Sequence, residues 1–268
     1  MTEPTAADDP QLAALRAAVE SRPDDARLHF QLGERLQLAS RPEEALAAFE
    51  RAAELAPQVA AAHFGLAGAY FALGRWNDAV DGFRRAWDLD PDAPTANNLG
   101  NALALGDRLD EAEEAFQNAL NHDAAFVPAL VNLGRLSLLR GDAEAALARL
   151  TSALELAPEH PGALMFAAAA WRRTGGTDEA LRLYARSVTA DPKNVAALVD
   201  FAELLLELKR PDEAMVHLVK AVEIEPDDAR IFHGFGEANR QRGRMIEAQF
   251  CFARAADLRN QAAGEASA

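Results

Sequence analysis

Six histidines are the side chains of this sequence most able to bind a metal ion. His29 and His63 hold the same place in two segments 34 residues apart, which is roughly 10 Å if the segments are packed helices. Zinc needs nitrogen ligands within about 2 Å, and no histidine pair has ligand spacing. We therefore expect neither a metal site nor another cofactor.

The lone cysteine and one glycine pair are the other candidates for chemistry. Cys251 lies between two phenylalanines, and Arg254 is its only nearby cation. Since a reactive thiol needs a cationic neighbour, a small buried hydrophobe is the favoured interpretation and a reactive thiol the alternative. Gly234-Phe235-Gly236 follows no strand, so it is not a phosphate loop. Without a nucleophile, base and orienting residue, we predict that the protein is not an enzyme.

Composition excludes several classes of partner. The 268 residues carry a net charge of −15, which opposes nucleic-acid phosphates and anionic lipids. The longest apolar stretch, residues 162–171, is half the length that crosses a bilayer. The first ten residues do not form a secretory signal, and a single cysteine suits a reducing compartment. We predict a cytoplasmic protein with no nucleic-acid binding and no membrane insertion.

Prolines divide the chain into segments of about one length. Pro23, Pro57 and Pro91 are 34 residues apart, and the same spacing recurs near the other end. Seven repeats follow at 26–59, 60–92, 93–126, 127–160, 161–194, 195–228 and 229–260. Residues 10–25 match the second half of a repeat and predict one N-terminal helix. Residues 1–9 and 261–268 are expected to be a disordered N-terminus and tail.

Small and large residues recur at fixed positions within each repeat. The eighth residue is small, the twenty-fourth is large and apolar, and a turn signal lies between them. Large residues can fill a seam between two helices, and small ones let the helices approach closely. Acids cluster where the second helices begin and complement the helix dipole. The twentieth residue is always alanine: Ala45, Ala79, Ala112, Ala146, Ala180, Ala214 and Ala248.

This pattern resembles the tetratricopeptide repeat family over residues 26 to about 260. The resemblance implies an all-α fold, a right-handed α-solenoid (superhelix) of helix-turn-helix repeats, whose first helices line a concave groove. It also implies that a partner peptide or helix binds in this groove. The candidate groove residues, read from the family's groove positions, are Phe30, Phe64, Phe71, Asn97, Asn98, Asn101, Val131, Asn132, Arg135, Leu138, Met165, Phe166, Arg172 and Val199.

Two asparagines favour a particular form of peptide capture. Asn98 and Asn132 hold the sixth position of successive repeats. They resemble the asparagine ladder of O-linked N-acetylglucosamine transferases, whose amides both donate to and accept from a peptide backbone. The alternative to an adaptor is therefore the substrate-recruiting domain of a larger glycosyltransferase or methyltransferase. The carboxylate clamp of chaperone-binding relatives is not expected, because Gly162 and Phe166 occupy two of its places.

The last predicted helix carries a second candidate surface. Met245, Ile246 and Phe250 lie on or near a face that no later helix of the pattern covers. Exposed apolar residues mark contact sites, so this face predicts self-association or partner docking. Taken together, the sequence predicts a protein–protein interaction scaffold that binds a partner peptide or helix.

Overall fold

Residues 10–265 are described by the computed structural model, and within this range the chain forms helices and turns without a strand. The chain divides into two compact units after Leu133. The helices of the described range are α1 (Pro10–Ser21), α2 (Ala26–Leu38), α3 (Pro42–Leu55), α4 (Ala60–Ala72), α5 (Trp76–Leu89), α6 (Ala93–Leu105), α7 (Leu109–His122), α8 (Val127–Leu139), α9 (Ala143–Leu156), α10 (Pro161–Thr174), α11 (Thr177–Ala190), α12 (Val195–Glu207), α13 (Pro211–Ile224), α14 (Ala229–Gln241) and α15 (Met245–Glu265). The predicted all-α array of paired helices is confirmed.

One predicted boundary differs from the structure. The segment 261–268 was expected to be disordered, but α15 continues through Glu265. Gln261, Ala262 and Ala263 are good helix formers, so the helix extends past the end of the repeat pattern. Residues 1–9 and 266–268, also expected to be disordered, lie outside the described residues.

Polar side chains begin many of the first helices. The Asp92 carboxylate accepts a hydrogen bond from the backbone N–H of Thr95 at 2.7 Å, and the Asn194 amide oxygen accepts one from Ala197 at 3.0 Å. Such caps satisfy backbone donors that the first helical turn leaves unpaired. The start of these helices is thus encoded locally, by the residue that precedes the first helical turn.

The turn inside every repeat uses the left-handed backbone conformation at one position. This position has a φ of 71° at Gly74 and 58° at Lys209. The full set is Ser40, Gly74, Asp107, Gly141, Gly175, Lys209 and Gly243. Since only glycine adopts this conformation without steric cost, three repeats carry backbone strain at this turn.

Close helix contacts explain the small residues of the pattern. An added Cβ at Gly100 would lie 2.5 Å from Cε1 of the Phe116 ring, closer than non-bonded carbons approach. Phe116 and the repeated alanine Ala112 are both buried. Each unit has its own apolar core of this kind, which holds the two helices of a repeat at a fixed separation.

Acidic residues at the start of second helices pair with the preceding arginine. Arg108 Nε donates to Glu111 Oε1 at 2.7 Å, and Arg210 Nε donates to Glu213 Oε1 at 2.6 Å. These hydrogen bonds hold the pKa of Glu111 and Glu213 below the usual glutamate value. Part of the chain's acidity therefore stabilises individual helices.

Candidate functional site

Four of the apolar groove residues that the sequence predicted are buried. Val131, Leu138, Met165 and Val199 each expose 8% of their surface or less. Met165 and Val199 belong to the apolar core of the second unit. The expectation that these four offer exposed apolar surface is wrong, because neighbouring helices cover them.

Two predicted phenylalanines are half-buried and pack against the helix seam. The Phe30 ring meets Phe49 edge-on at 5.6 Å between centroids, and Phe64 meets Phe83 in the same way at 5.4 Å. Phe49 and Phe83 are the large residues of the seam. Phe30 and Phe64 therefore contribute to the core of the first unit and expose only part of their rings.

Leucines at the ends of first helices are more exposed than the predicted aromatic residues. Leu38 exposes 78% of its surface and Leu105 exposes 49%. Both hold the thirteenth position of a repeat, which the family pattern assigns to the groove. Neither leucine was among the predicted groove residues, although its thirteenth position in the repeat could have identified it. Phe71, half-buried against the Trp76 ring, lies on the first helix between them.

The first helices α4 and α6 present an uncharged surface. No Asp, Glu, Lys or Arg occurs in either helix, and the ionisable side chains of the pair are His63 and Tyr70 of α4. His63 donates from Nε2 to the Pro57 carbonyl at 3.0 Å, a contact that His29 repeats with Pro23 at 2.8 Å. These histidines therefore hold turns in place.

The predicted asparagines have two different roles. Asn132 Nδ2 donates to Asn97 Oδ1 at 2.9 Å, and Asn97 is buried. Asn98 and Asn101 are half-buried, and their amides make no hydrogen bond with the described residues. The pair that remains available to a ligand is thus Asn98 and Asn101.

In the second unit, Arg172 lies in a network of charges that the sequence did not reveal. Arg172 Nε donates to Glu207 Oε2 at 3.0 Å, and its Nη1 lies 3.4 Å from Glu203 Oε2. Arg230 donates to Asp200, and its Nη2 lies 3.2 Å from Glu203 Oε1. Asp200, Glu203 and Glu207 all belong to α12, with Arg172 on α10 and Arg230 on α14.

Two further predicted residues of this unit have less exposed positions. Phe166 is partly buried against the apolar core, and Arg135 on α8 is half-buried. Because Leu138, Met165 and Val199 are buried, the second unit has a charged network where the sequence predicted an apolar surface.

Apolar side chains on α15 are exposed. The sequence pattern attributed this exposure to the lack of a later helix, but the cause is the position of these residues within the repeat. Ile246 exposes 82% of its surface and Phe250 exposes 74%. Their positions are exposed in all seven repeats, and the residue at the position of Ile246 is polar or charged in the other six. Both residues thus lie on the outer face of a second helix. Met245 is exposed, whereas the equivalent residues of the other six repeats are partly buried.

The remaining candidates for chemistry are the cysteine and the metal-binding side chains. Cys251 is partly buried, and burial raises the pKa of its thiol above the usual value. Within residues 10–265, no group of three or more His, Cys, Asp or Glu side chains is arranged to hold a metal ion. No helix in that range is both long and apolar enough to cross a membrane.

Comparison with known proteins identifies the repeat. A family described as tetratricopeptide repeat matches residues 36–103 and 172–235, and a second family of the same description matches residues 131–194. Together the matches cover more than half of the chain. No curated protein matches the sequence.

Solved structures share the fold. The "APC/C hetero-tetramer Cut9-Hcn1" superposes with a TM-score of 0.74 at 18% identity, over 94% of this chain and 46% of that one. A tetratricopeptide repeat protein from Parabacteroides merdae gives 0.69 at 15% identity, over 87% of this chain and 93% of that one. YrrB, described as "a TPR protein with an unusual peptide-binding site", gives 0.54 at 22%, over 69% and 96%. This chain thus spans about half the length of the Cut9-Hcn1 chain.

Proposed function

This chain belongs to the tetratricopeptide repeat family, and from that premise we propose that it is a non-catalytic scaffold for protein–protein interaction. Its ligand is an uncharged segment of a partner protein, bound along the first helices α4 and α6 of the first unit. Stacked repeats leave the first helices free on one face, where a peptide or helix can lie.

The observation that carries this proposal is the absence of fixed charge on α4 and α6 in a chain of net charge −15. A charged side chain loses hydration when a partner covers it, and this opposes binding. An uncharged surface avoids that penalty. It therefore favours a partner segment that is itself uncharged.

Exposed leucines and free amides supply the contacts. Leu38 and Leu105 offer apolar surface to side chains of the segment. Asn98 and Asn101 have amides that no described residue engages, and an amide both donates to and accepts from a peptide group. The surface is therefore suited to reading a backbone as well as apolar side chains.

Peptide selection tests the proposal directly. The full chain is used to select binders from a random-peptide display library, and the affinity of the best peptide is then measured by calorimetry. We expect the double variants Leu38→Glu/Leu105→Glu and Asn98→Ala/Asn101→Ala each to weaken binding at least about tenfold. Both changes remove contacts at exposed or half-buried positions, so helicity should not change.

Leu156→Glu is the matched control. Leu156 exposes 50% of its surface, close to the value for Leu105, but it ends a second helix of the other unit. Its substitution should leave the affinity unchanged. Selected peptides that carry net charge, or that bind all variants equally, would refute the proposed surface.

A second candidate function is self-association through the outer face of α15. The observation that favours it is the exposed apolar pair Ile246 and Phe250. The other six repeats are polar or charged at the position of Ile246, and three of them are charged at the position of Phe250. Such a pair gains free energy when it is covered by an apolar surface. Sedimentation velocity of the full chain should show concentration-dependent dimers that Ile246→Glu/Phe250→Glu abolishes. A monomer at every concentration would contradict it.

A further inference from the structure

An apolar cavity of about 250 Å³ lies beside α2, α3 and α4 in the first unit, and we refer to it as the first-unit cavity. Its wall exposes no polar atom. Ala52 and Ala62 are buried among the residues that line it, whereas Val59 and Ala61 are exposed, so the cavity opens to solvent. Water in such a cavity lacks hydrogen-bond partners, and an apolar side chain that replaces it is favoured.

Two residues that line this cavity are apolar where most other repeats have a polar residue. Val59 precedes α4, exposes 48% of its surface and has no side-chain acceptor to cap the helix. Ala56 directly follows α3. Side chains that cap other first helices are those of Asp25, Asp92, His160, Asn194 and Asp228, and the acids that directly follow other second helices are Asp90, Asp123, Asp191 and Glu225. Because capping favours a polar residue before α4, the valine indicates a use for apolar surface at this place.

An exposed aromatic ring of suitable size lies in the second unit. Among the described residues, Phe250 of α15 is the one phenylalanine with an exposed side chain, and it exposes 74% of its surface. Ile246, one helical turn before it on the same face, exposes 82%. Apolar cavities of roughly 150 Å³ accept a benzene molecule, so the first-unit cavity has room for a phenylalanine ring.

The charges beside the ring and the cavity are opposite. Arg27 borders the cavity, and its guanidinium has no partner among the described residues. The two acids that precede it, Asp24 and Asp25, pair with other arginines. Glu247 lies three residues before Phe250 on the same side of α15, and its exposed carboxylate also has no partner in the described range. A free cation beside an apolar cavity favours an apolar surface that carries an acid.

We propose that Phe250 of one copy of this chain inserts into the first-unit cavity of a second copy, where Glu247 pairs with Arg27. The proposal rests on the second candidate function, self-association through α15, and it names the surface that receives α15. Because the contact joins two different surfaces, each pair of copies retains one free ring and one free cavity. Copies therefore add head to tail, as dimers first and as larger assemblies at higher concentration.

Two variants each remove one of the two surfaces. Ile246→Glu/Phe250→Glu removes the ring, at exposed positions where acids occur in other repeats. Val59→Asp places a carboxylate beside the cavity and gives α4 the type of side-chain cap that Asp25 and Asp92 give to α2 and α6. Both variants should therefore fold, and circular dichroism should show the helicity of the wild type.

Sedimentation velocity of the full chain, from about 10 μM to about 1 mM, measures the association. We expect the wild type to form dimers and larger assemblies, and each variant alone to associate at least about tenfold more weakly. An equimolar mixture of the two variants should recover a dimer, because one variant supplies the ring and the other supplies the cavity. This dimer should not grow, since its two remaining surfaces are both blocked.

Reversal of the charged pair tests how the two copies are oriented. Arg27→Glu should weaken association about tenfold, because like charges then face each other. Addition of Glu247→Arg to the same chain should restore it. Leu156→Glu changes an exposed residue at the end of α9, and as the matched control it should associate as the wild type does.

Three outcomes would overturn the proposal. If Val59→Asp associates as the wild type does and only Ile246→Glu/Phe250→Glu is monomeric, α15 contacts another surface, and self-association itself stands. A mixture of the two variants that stays monomeric would show that ring and cavity are not complementary. A monomeric wild type at every concentration would refute self-association as well. The peptide-binding proposal is independent of all three outcomes, because peptide selection tests it with variants at other residues.

Discussion

Asn132 on α8 donates a 2.9 Å hydrogen bond from its side-chain amide to the side-chain oxygen of Asn97 on α6. The bond joins the first helices of two successive repeats within the first unit. Asn97 is buried, so the bond is shielded on that side from competition with water. One of the two asparagines that resembled a peptide-binding ladder is therefore engaged in holding neighbouring repeats together.

We expect Asn97→Ala to lower the free energy of unfolding by about 1–2 kcal/mol, because it leaves the Asn132 amide without its partner. A double-mutant cycle with Asn132→Ala, followed by urea denaturation, should give a coupling of roughly 0.5–1.5 kcal/mol. A coupling near zero would mean that hydrogen bonds to water stabilise these two amides as well as their mutual hydrogen bond does.

The fold could be predicted because the residue types that determine it recur at fixed positions of the sequence. Ala112 and Gly100 are small where two helices approach, and the requirement recurs in every repeat. The exposure of the individual groove residues was less predictable. Val199 and Leu105 are both apolar and both at groove positions, yet one is buried and the other half exposed. The difference depends on which neighbouring side chains cover them, and a repeat pattern does not encode that.

The charged network around Arg172 in the second unit was missed for a related reason. Each of its charges is ordinary alone, and their convergence requires the packing of α10, α12 and α14. One signal was nevertheless present in the sequence. Tyr184, which lines the same cavity as Arg172, is the only hydroxyl among seven equivalent seam residues, and a polar group at a buried position indicates a local partner.

Gly100→Ala should destabilise the first unit by about 1–3 kcal/mol, because the new methyl group would overlap the Phe116 ring. Gly68→Ala is the matched substitution on the preceding first helix. Its Cβ would meet only the Gln37 side chain, at 3.5 Å, so the variant should gain about 0.5–1 kcal/mol from helix propensity. Urea denaturation of both variants checks the prediction, and effects of the same sign would contradict it.

Lys209→Gly should stabilise the protein by about 0.5–1 kcal/mol. Lys209 has a φ of 58° at the turn where four other repeats have glycine, and glycine removes the steric cost of this conformation. Lys220→Gly, in the middle of α13, should instead lose about 1 kcal/mol. The melting temperatures of the two variants should therefore move in opposite directions, and a common decrease would show that the turn at Lys209 is not strained.

His217 should make stability depend on pH. Its ring lies 4.5 Å from the Phe201 ring, and its Nδ1 is buried without a hydrogen-bond partner among the described residues. Burial lowers its pKa below the ordinary value of 6.5, Lys220 adds to this, and Glu213 opposes it.

Because the native state resists protonation of His217, the unfolded chain takes up this proton first as the pH falls. The free energy of unfolding is then fully retained above pH 6.5 and decreases from there down to the lowered native pKa. His217→Leu, which places at this site the residue found at Leu183 in the preceding repeat, should reduce the difference between urea midpoints measured at about pH 7.5 and about pH 5.5. An equal difference in the variant and the wild type would assign the pH dependence to other groups.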